Sequence, residues 1–250
     1  MGLAALLFCH KSPNEPLPEN THPQVDIPWP SLANSPWPMF HDDPQSTGRS
    51  QYVGPRKGKI KWTFEPGGAI YSAVVIGPDS TIYFPCGNST HPSGLYALYP
   101  DGRVKWKLPL PLSSDHQPLV TADGTIFLVS GPSFQSRTLN SLYAINPDGT
   151  VKNRFDFDFE PSPYLNIGID GTLYFTSDPH LYAVSQQGVI LWAFTLPDRG
   201  LGSQFITISP DGKTLYLFDR ITYYRTTGLC AVGTDGQLQW HYPVEGDQAA

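Results

Sequence analysis

The chain has little of what builds helical bundles, membrane spans or metal clusters. Charged residues make up only 15% of it, which argues against a coiled coil or a charged helical bundle. No run of eighteen apolar residues occurs, so no segment spans a bilayer as a helix. The three cysteines show no Cys-x-x-Cys spacing, which disfavours a zinc or dithiol centre. Gly-x-Ser-x-Gly, His-Glu-x-x-His and phosphate-binding glycine loops are all missing. The net charge of −6 gives no general basic field for nucleic acid. Turn formers and aromatics are plentiful instead: 23 Gly, 26 Pro and 13% Phe, Trp and Tyr in 250 residues. That aromatic content excludes global disorder, and 27.6 kDa is enough for one large all-β domain or two ordinary ones.

Self-similarity organises the rest. Leu95-Tyr96-Ala97-Leu98 recurs as Leu142-Tyr143-Ala144-Ile145, Leu181-Tyr182-Ala183-Val184 and Leu229-Cys230-Ala231-Val232. A turn glycine follows each, at Gly102, Gly149, Gly188 and Gly236, with an earlier relative at Gly58. Two, four and six residues after these glycines stand apolar or aromatic residues, such as Val104, Trp106 and Leu108. That period of two predicts a strand with one buried face. Asn153 is the exception in the fourth-residue series Trp62, Trp106, Asn153, Trp192 and Trp240. Upstream of each tetrapeptide, Asp79, Asp123, Asp170 and Asp211 mark a second set of turns between apolar runs, three of them Asp-Gly. Asp-Gly predicts a hairpin with both central residues at positive φ.

Each unit is therefore four antiparallel strands, A to D, in about 44 residues. A lone sheet leaves two apolar faces bare, and radial stacking buries them. The expected fold is an all-β propeller of four full blades over 59–244. An orphan outer strand at 59–64 marks it as incomplete or open, and 245–250 form a tail.

The run Thr-Ile-Tyr, Leu-Tyr-Ala-Leu, Asp-Gly-Arg-Val-Lys-Trp in residues 81–106 resembles the tryptophan-bearing repeat of quinoprotein-like propellers. These are the pyrroloquinoline-quinone (PQQ) dehydrogenase repeats and their non-enzymatic relatives, which include a lipoprotein of the outer-membrane barrel-assembly machinery. The likeness covers most of the chain, and residues 37–48 are similar to a segment that precedes the first blade in such proteins. The resemblance implies that Trp62, Trp106, Trp192 and Trp240 seal one blade against the next, with Asn153 departing from the pattern. It also implies two functions: a non-catalytic scaffold, or a quinoprotein dehydrogenase using PQQ and calcium. The enzymes' adjacent cysteines are missing, all four repeat tryptophans are used in packing, and the chain is far shorter. A calcium-dependent hydrolase or lactonase lacks a matching carboxylate and asparagine set. The favoured expectation is thus a scaffold without cofactor or catalytic residues.

Residues 1–9 resemble the tail of a lipoprotein signal ending in Cys9, although no Lys or Arg precedes the apolar run and Phe8 stands where a small residue is preferred. Cys9 is the expected lipidation site of an exported, extracytoplasmic protein, against the alternative of an ordinary apolar N-terminus. Residues 10–36 read as a proline-rich linker and 37–58 as a leader packed on the propeller. Cys86 and Cys230 read as buried thiols, with an inter-repeat disulfide open to them after export.

In such a meander the A–B and C–D turns share one end, and the B–C and D–A connections the other. Binding is expected at the latter, where the connections are long. Arg220, Tyr223, Tyr224 and Arg225 in the B–C connection 219–228 are candidate ligand contacts, aromatics flanked by arginines suiting a carbohydrate, a quinone-like ring or a peptide, against the alternative of a solvated loop with its tyrosines on the blade edge. His116 beside Asp115 is a further candidate, with turn capping as the alternative. His41-Asp42-Asp43 and the Asp156, Asp158 and Glu160 series read as solvated faces rather than metal sites.

Overall fold

A computed structural model describes residues 27–53, 57–88, 91–110, 116–130, 140–196, 200–201, 205–222 and 225–243. They form four antiparallel sheets in chain order. The first comprises β1 (Val75–Ile76), β2 (Ile82–Asn88), β3 (His91–Leu98) and β4 (Val104–Pro109). The second comprises β5 (Leu119–Val120), β6 (Ile126–Ser130), β7 (Asn140–Ile145) and β8 (Val151–Phe157). In the third are β9 (Asn166–Ile167), β10 (Leu173–Ser177), β11 (His180–Val184) and β12 (Ile190–Thr195). The last holds β13 (Gly200–Leu201), β14 (Thr207–Ile208), β15 (Thr214–Thr222), β16 (Arg225–Gly233) and β17 (Leu238–Pro243). Both β13 and β14 pair with β15. The architecture is an open β-propeller, as the repeat predicts.

The two-residue inner strands are completed by the leader. Ile76 N–H donates to Trp37 O, Val120 N–H to Pro38 O, Ala122 N–H to Ser31 O and Ile208 N–H to Pro44 O, at 2.7–2.9 Å. The Trp29 indole donates to Ile167 O, and Asn166 Nδ2 to Pro44 O. Residues 29–44 thus hydrogen-bond to the inner strand of every sheet, supplying the partners that those strands lack on their axial side. Trp29, Leu32 and Ala33 are buried, so packed structure begins inside the stretch expected to be linker. Apolar side chains spaced among its prolines were enough to seat it.

The A–B and C–D turns, which share one end of each unit, repeat one hydrogen-bond pattern in all four sheets. In the second sheet, Gly124 N–H donates to Thr121 O, Thr121 N–H to Thr125 O, and the Asp123 carboxylate accepts from Thr125 N–H. Only the glycine takes a positive φ, 82°, whereas the aspartate stays in the ordinary region. The expected hairpin with two left-handed residues is therefore replaced by a turn ending in a glycine bulge, because the carboxylate caps the amide two residues on. Ser80 occupies the equivalent glycine position in the first sheet and is forced to φ 62°.

The sheets are joined by indoles. Trp62, Trp106 and Trp192 donate to Pro100 O, Pro147 O and Thr234 O at 2.9–3.1 Å. Each acceptor lies two residues before a turn glycine of the following sheet. A Cβ placed on Gly149 would stand 2.7 Å from the Trp106 ring, and one on Gly236 would stand 2.9 Å from Trp192. At the junction where Asn153 breaks the series, Phe155 lies on Gly188 instead. Trp240 departs from the expected sealing role. It is 43% exposed, and no turn glycine of another sheet receives it among the described residues. Residues 59–64 form no ladder, but Trp62 and Phe64 pack on Phe84, Tyr96 and Leu98 of the first sheet.

Two exchanges at turn positions test this geometry. Gly149→Ala places a methyl group against Trp106 at a left-handed φ and lowers stability by about 2–3 kcal/mol in urea unfolding, whereas Ser80→Gly relieves strain and raises it by about 0.5–1 kcal/mol. Equal stabilities for wild type and Gly149→Ala would contradict the indole seat.

The turn carboxylates also set an acid limit. Burial works against ionisation of Asp123, but bonds from Thr121, Thr125 and Lys152 outweigh it and hold the carboxyl at about 2, below its ordinary 3.8. A depressed carboxyl contributes stability above its unfolded value, and that contribution is lost as pH falls through the folded value. Asp123→Asn should therefore flatten the stability profile between about pH 4 and pH 2 in urea unfolding. An unchanged slope would exclude this carboxylate as a contributor.

Candidate functional site

The end of the molecule carrying the D–A connections gathers aromatic rings around the axis. Tyr164 stands just before β9 and Phe205 just before β14, so two successive inner strands begin with a ring. Their centroids lie 4.2 Å apart. Phe40 of the leader stacks on Phe205 at 5.4 Å with 21° between planes, and on His41 at 3.8 Å with 24°. Phe205 remains 46% exposed, and His41 is exposed as well. His41 and Asp42 both take left-handed φ values, 58° and 74°. The chain turns there as Asp43 N–H and Gly48 N–H close on His41 O. A tight leader turn, pinned on the inner strands, thus holds a four-ring platform partly open to water. Such a surface presents flat apolar faces at small entropic loss.

His116 and Gln117 border this end on the second sheet. His116 is 8% exposed, and Gln117 N–H donates to Pro163 O, tying its connection to that of Tyr164. The Gln117 side-chain oxygen is buried and has no hydrogen-bond partner among the described residues. Asp115, the expected partner of His116, lies outside the described residues.

The arginine and tyrosine candidates fall elsewhere. Tyr223 and Tyr224 lie outside the described residues, as do the side chains of Arg220 and Arg225. Their backbones belong to ladders: Arg220 pairs with Thr226 and Thr222 with Arg225. The connection expected over 219–228 is therefore largely a prolonged hairpin. The B–C connections expected over 86–94 and 176–180 are likewise mostly strand. Cys9 is also outside the described residues.

A third arrangement was not visible in the sequence. Asp219 on β15 is fully buried, with Oδ2 2.6 Å from His241 Nε2 on β17, and His241 faces Cys230 in the ladder. This order resembles a thiol, imidazole and carboxylate relay. Burial, reinforced by the Asp219 charge, pushes the Cys230 thiol up to about 12, so the nucleophilic thiolate is not formed at neutral pH. The aspartate and histidine instead tie the B and D strands together. Cys86 is also buried, with its thiol raised by burial. Both cysteines are free and sit in separate core clusters, which closes the route to a mutual disulfide.

Alongside the leader runs a cleft of about 600 Å³ lined by Trp29, Asn34, Asp42, Gln45 and Arg49. The Asp43 carboxylate is occupied with Thr47, and no group of three or more His, Cys, Asp or Glu side chains able to hold a metal occurs among the described residues. Phe40, Tyr164 and Phe205 are not among the candidate contacts expected from the sequence. A ring two residues before each of two inner strands was the available signal.

No family model matches the chain, and no curated protein matches it. Among solved structures, a protein of unknown function from Bacteroides caccae matches with a TM-score of 0.50 and 14% identity, over 86% of this chain and 74% of that one. A gluconolactonase from Xanthomonas campestris matches with a TM-score of 0.38 and 20% identity, over 69% of each chain. The likeness to the first supports the propeller architecture and nothing finer.

The thiol chemistry has a direct readout. A Cys9→Ser variant should show no rapid reaction with a disulfide reagent when native and two thiols after denaturation. Fast native labelling that Cys230→Ser removes would restore the relay.

Proposed function

We propose that the protein is a binding scaffold that recognises a polysaccharide at the D–A end of its axis. The observation that carries this reading is the partly exposed stack of Phe40, His41, Tyr164 and Phe205. Sugar rings present flat C–H faces to such a platform and hydroxyls to polar groups around it. His116 and Gln117 supply polar atoms at the border, and a buried amide oxygen without a partner among the described residues favours a hydroxyl donor nearby. The platform is mounted on inner strands fixed by the leader, so recognition needs little reorganisation.

Isothermal titration against a panel of soluble neutral and acidic oligosaccharides tests the proposal. Saturable binding is expected for one class, and Phe205→Ala weakens it about tenfold, corresponding to the loss of one stacked ring. Absence of binding across the panel, or binding unchanged in both Phe205→Ala and Tyr164→Ala, would refute it.

A further inference from the structure

The leader doubles back on itself, and a cleft lies between its two arms. Residues 27–38 and 42–51 supply the walls of this space of about 600 Å³, and Pro78 and Ala122, in the A–B turns of the first two sheets, complete it. A cleft of that size suits a small organic molecule.

The turn between the arms is strained. His41, Asp42 and Ser46, none of them glycine, take left-handed φ values of 56–74°. The third and fourth sheets hold the turn in place: Pro44 O accepts from Asn166 Nδ2 and from Ile208 N–H, and the Thr207 hydroxyl donates to Ser46 Oγ. Strain that the surroundings maintain gathers where a chain must grip a ligand. Within this turn Gln45 lines the cleft, and its amide nitrogen is buried without a hydrogen-bond partner among the described residues. An unpaired amide beside a cavity is a donor that lacks an acceptor.

The groups around it define what that acceptor belongs to. Pro28, Pro30, Pro38, Pro44 and Pro78 have no N–H, and the carbonyls of Pro38 and Pro44 are taken by inner-strand amides. Trp29 donates its N–H to Ile167 O, which leaves only ring carbon for the cleft. The Asp43 carboxylate accepts from Thr47, and neither Asp42 nor Arg49 is free. The walls are therefore apolar, with their ionic groups engaged, and carboxamides remain: Gln45 within, Asn34 and Gln51 at exposed positions. A carboxamide both donates and accepts without charge, and a secondary amide is its neutral counterpart.

We propose that the leader cleft binds a small uncharged molecule carrying a secondary amide. Its carbonyl oxygen accepts from Gln45 Nε2 as that side chain turns into the cleft, which exchanges an unpaired donor for a paired one. A trans amide points its N–H away from its carbonyl, here toward the side-chain oxygens of Asn34 and Gln51. The methyl or ring body lies on the prolines and Trp29. An acetamido group meets these requirements, whether an amino sugar or an acylated amino acid carries it. The site is distinct from the aromatic platform, because His41 stacks on Phe40 whereas residues 42–45 of the same turn line the cleft.

The probes are N-acetylglucosamine and N-acetylalaninamide, with glucose and methyl acetate as controls lacking the amide. Binding to the full chain is followed by ligand-observed NMR and by the melting temperature. One of the two acetamides should bind saturably and raise the melting temperature, and the pair tells a sugar source from a peptide one. Gln45→Leu removes an unpaired donor, so it should preserve the melting of the free chain and weaken that probe about tenfold. Asn34→Ala, at an exposed position, should weaken it by a smaller factor. Absence of binding by both acetamides, equal binding of the controls, or binding indifferent to both variants would each overturn the inference. So would a probe that survives Gln45→Leu and is lost in Phe205→Ala, since it would sit on the platform instead.

Discussion

An indole laid on a backbone turn governs the whole assembly. Separate sheets of this size are marginal alone, and each becomes stable by covering its neighbour. The indole fixes the offset between neighbours because it makes two demands at once. Its flat face requires a turn residue without a side chain, and its N–H requires the carbonyl two residues upstream. The positive φ that the turn needs and the open surface that the ring needs are met by the same glycine. Phe155 shows that the apolar half of the contact suffices to seat a ring at one junction, at the loss of the hydrogen bond.

Most of the fold could be read from the letters. The Leu-Tyr-Ala tetrapeptides, the spaced tryptophans and the Asp-Gly turns are local signals, and local chemistry places them correctly on strands and turns. The misses were long-range. Trp29 and Leu32 lie in a proline-rich stretch without periodicity, and their burial depends on inner strands more than eighty residues away. The lengthened hairpin at Arg220 and Arg225 was hidden because its glycines and tyrosines also suit a loop. The ring platform escaped notice because Phe40, Tyr164 and Phe205 come from three distant places and meet only when the axis is formed. Asp219 and His241, 22 residues apart, became a pair through ladder register alone.

The leader makes the two ends of the axis different. Among the A–B turns it reaches Ala122 through Ser31, and at the other end it contributes Phe40 and His41 to the aromatic platform. Sheets joined by indoles and pinned from inside form a stiff frame, and chemical variety is left to the connections. The buried Cys230 illustrates the division: a residue with reactive potential is silenced by the packing that makes its strand a good structural element.

The leader's reach also bears on biosynthesis. Ser46 bonds to Thr207, 161 positions further on, and Trp29 to a carbonyl 138 positions further on. The ribosome releases the leader early but its partners late, so Trp29, Leu32 and Met39 must wait uncovered while the third and fourth sheets are still being translated. Topologies dominated by such distant pairings mature slowly. A nascent chain of this design would depend on chaperones that shield its first aromatic residues until the final hairpin emerges.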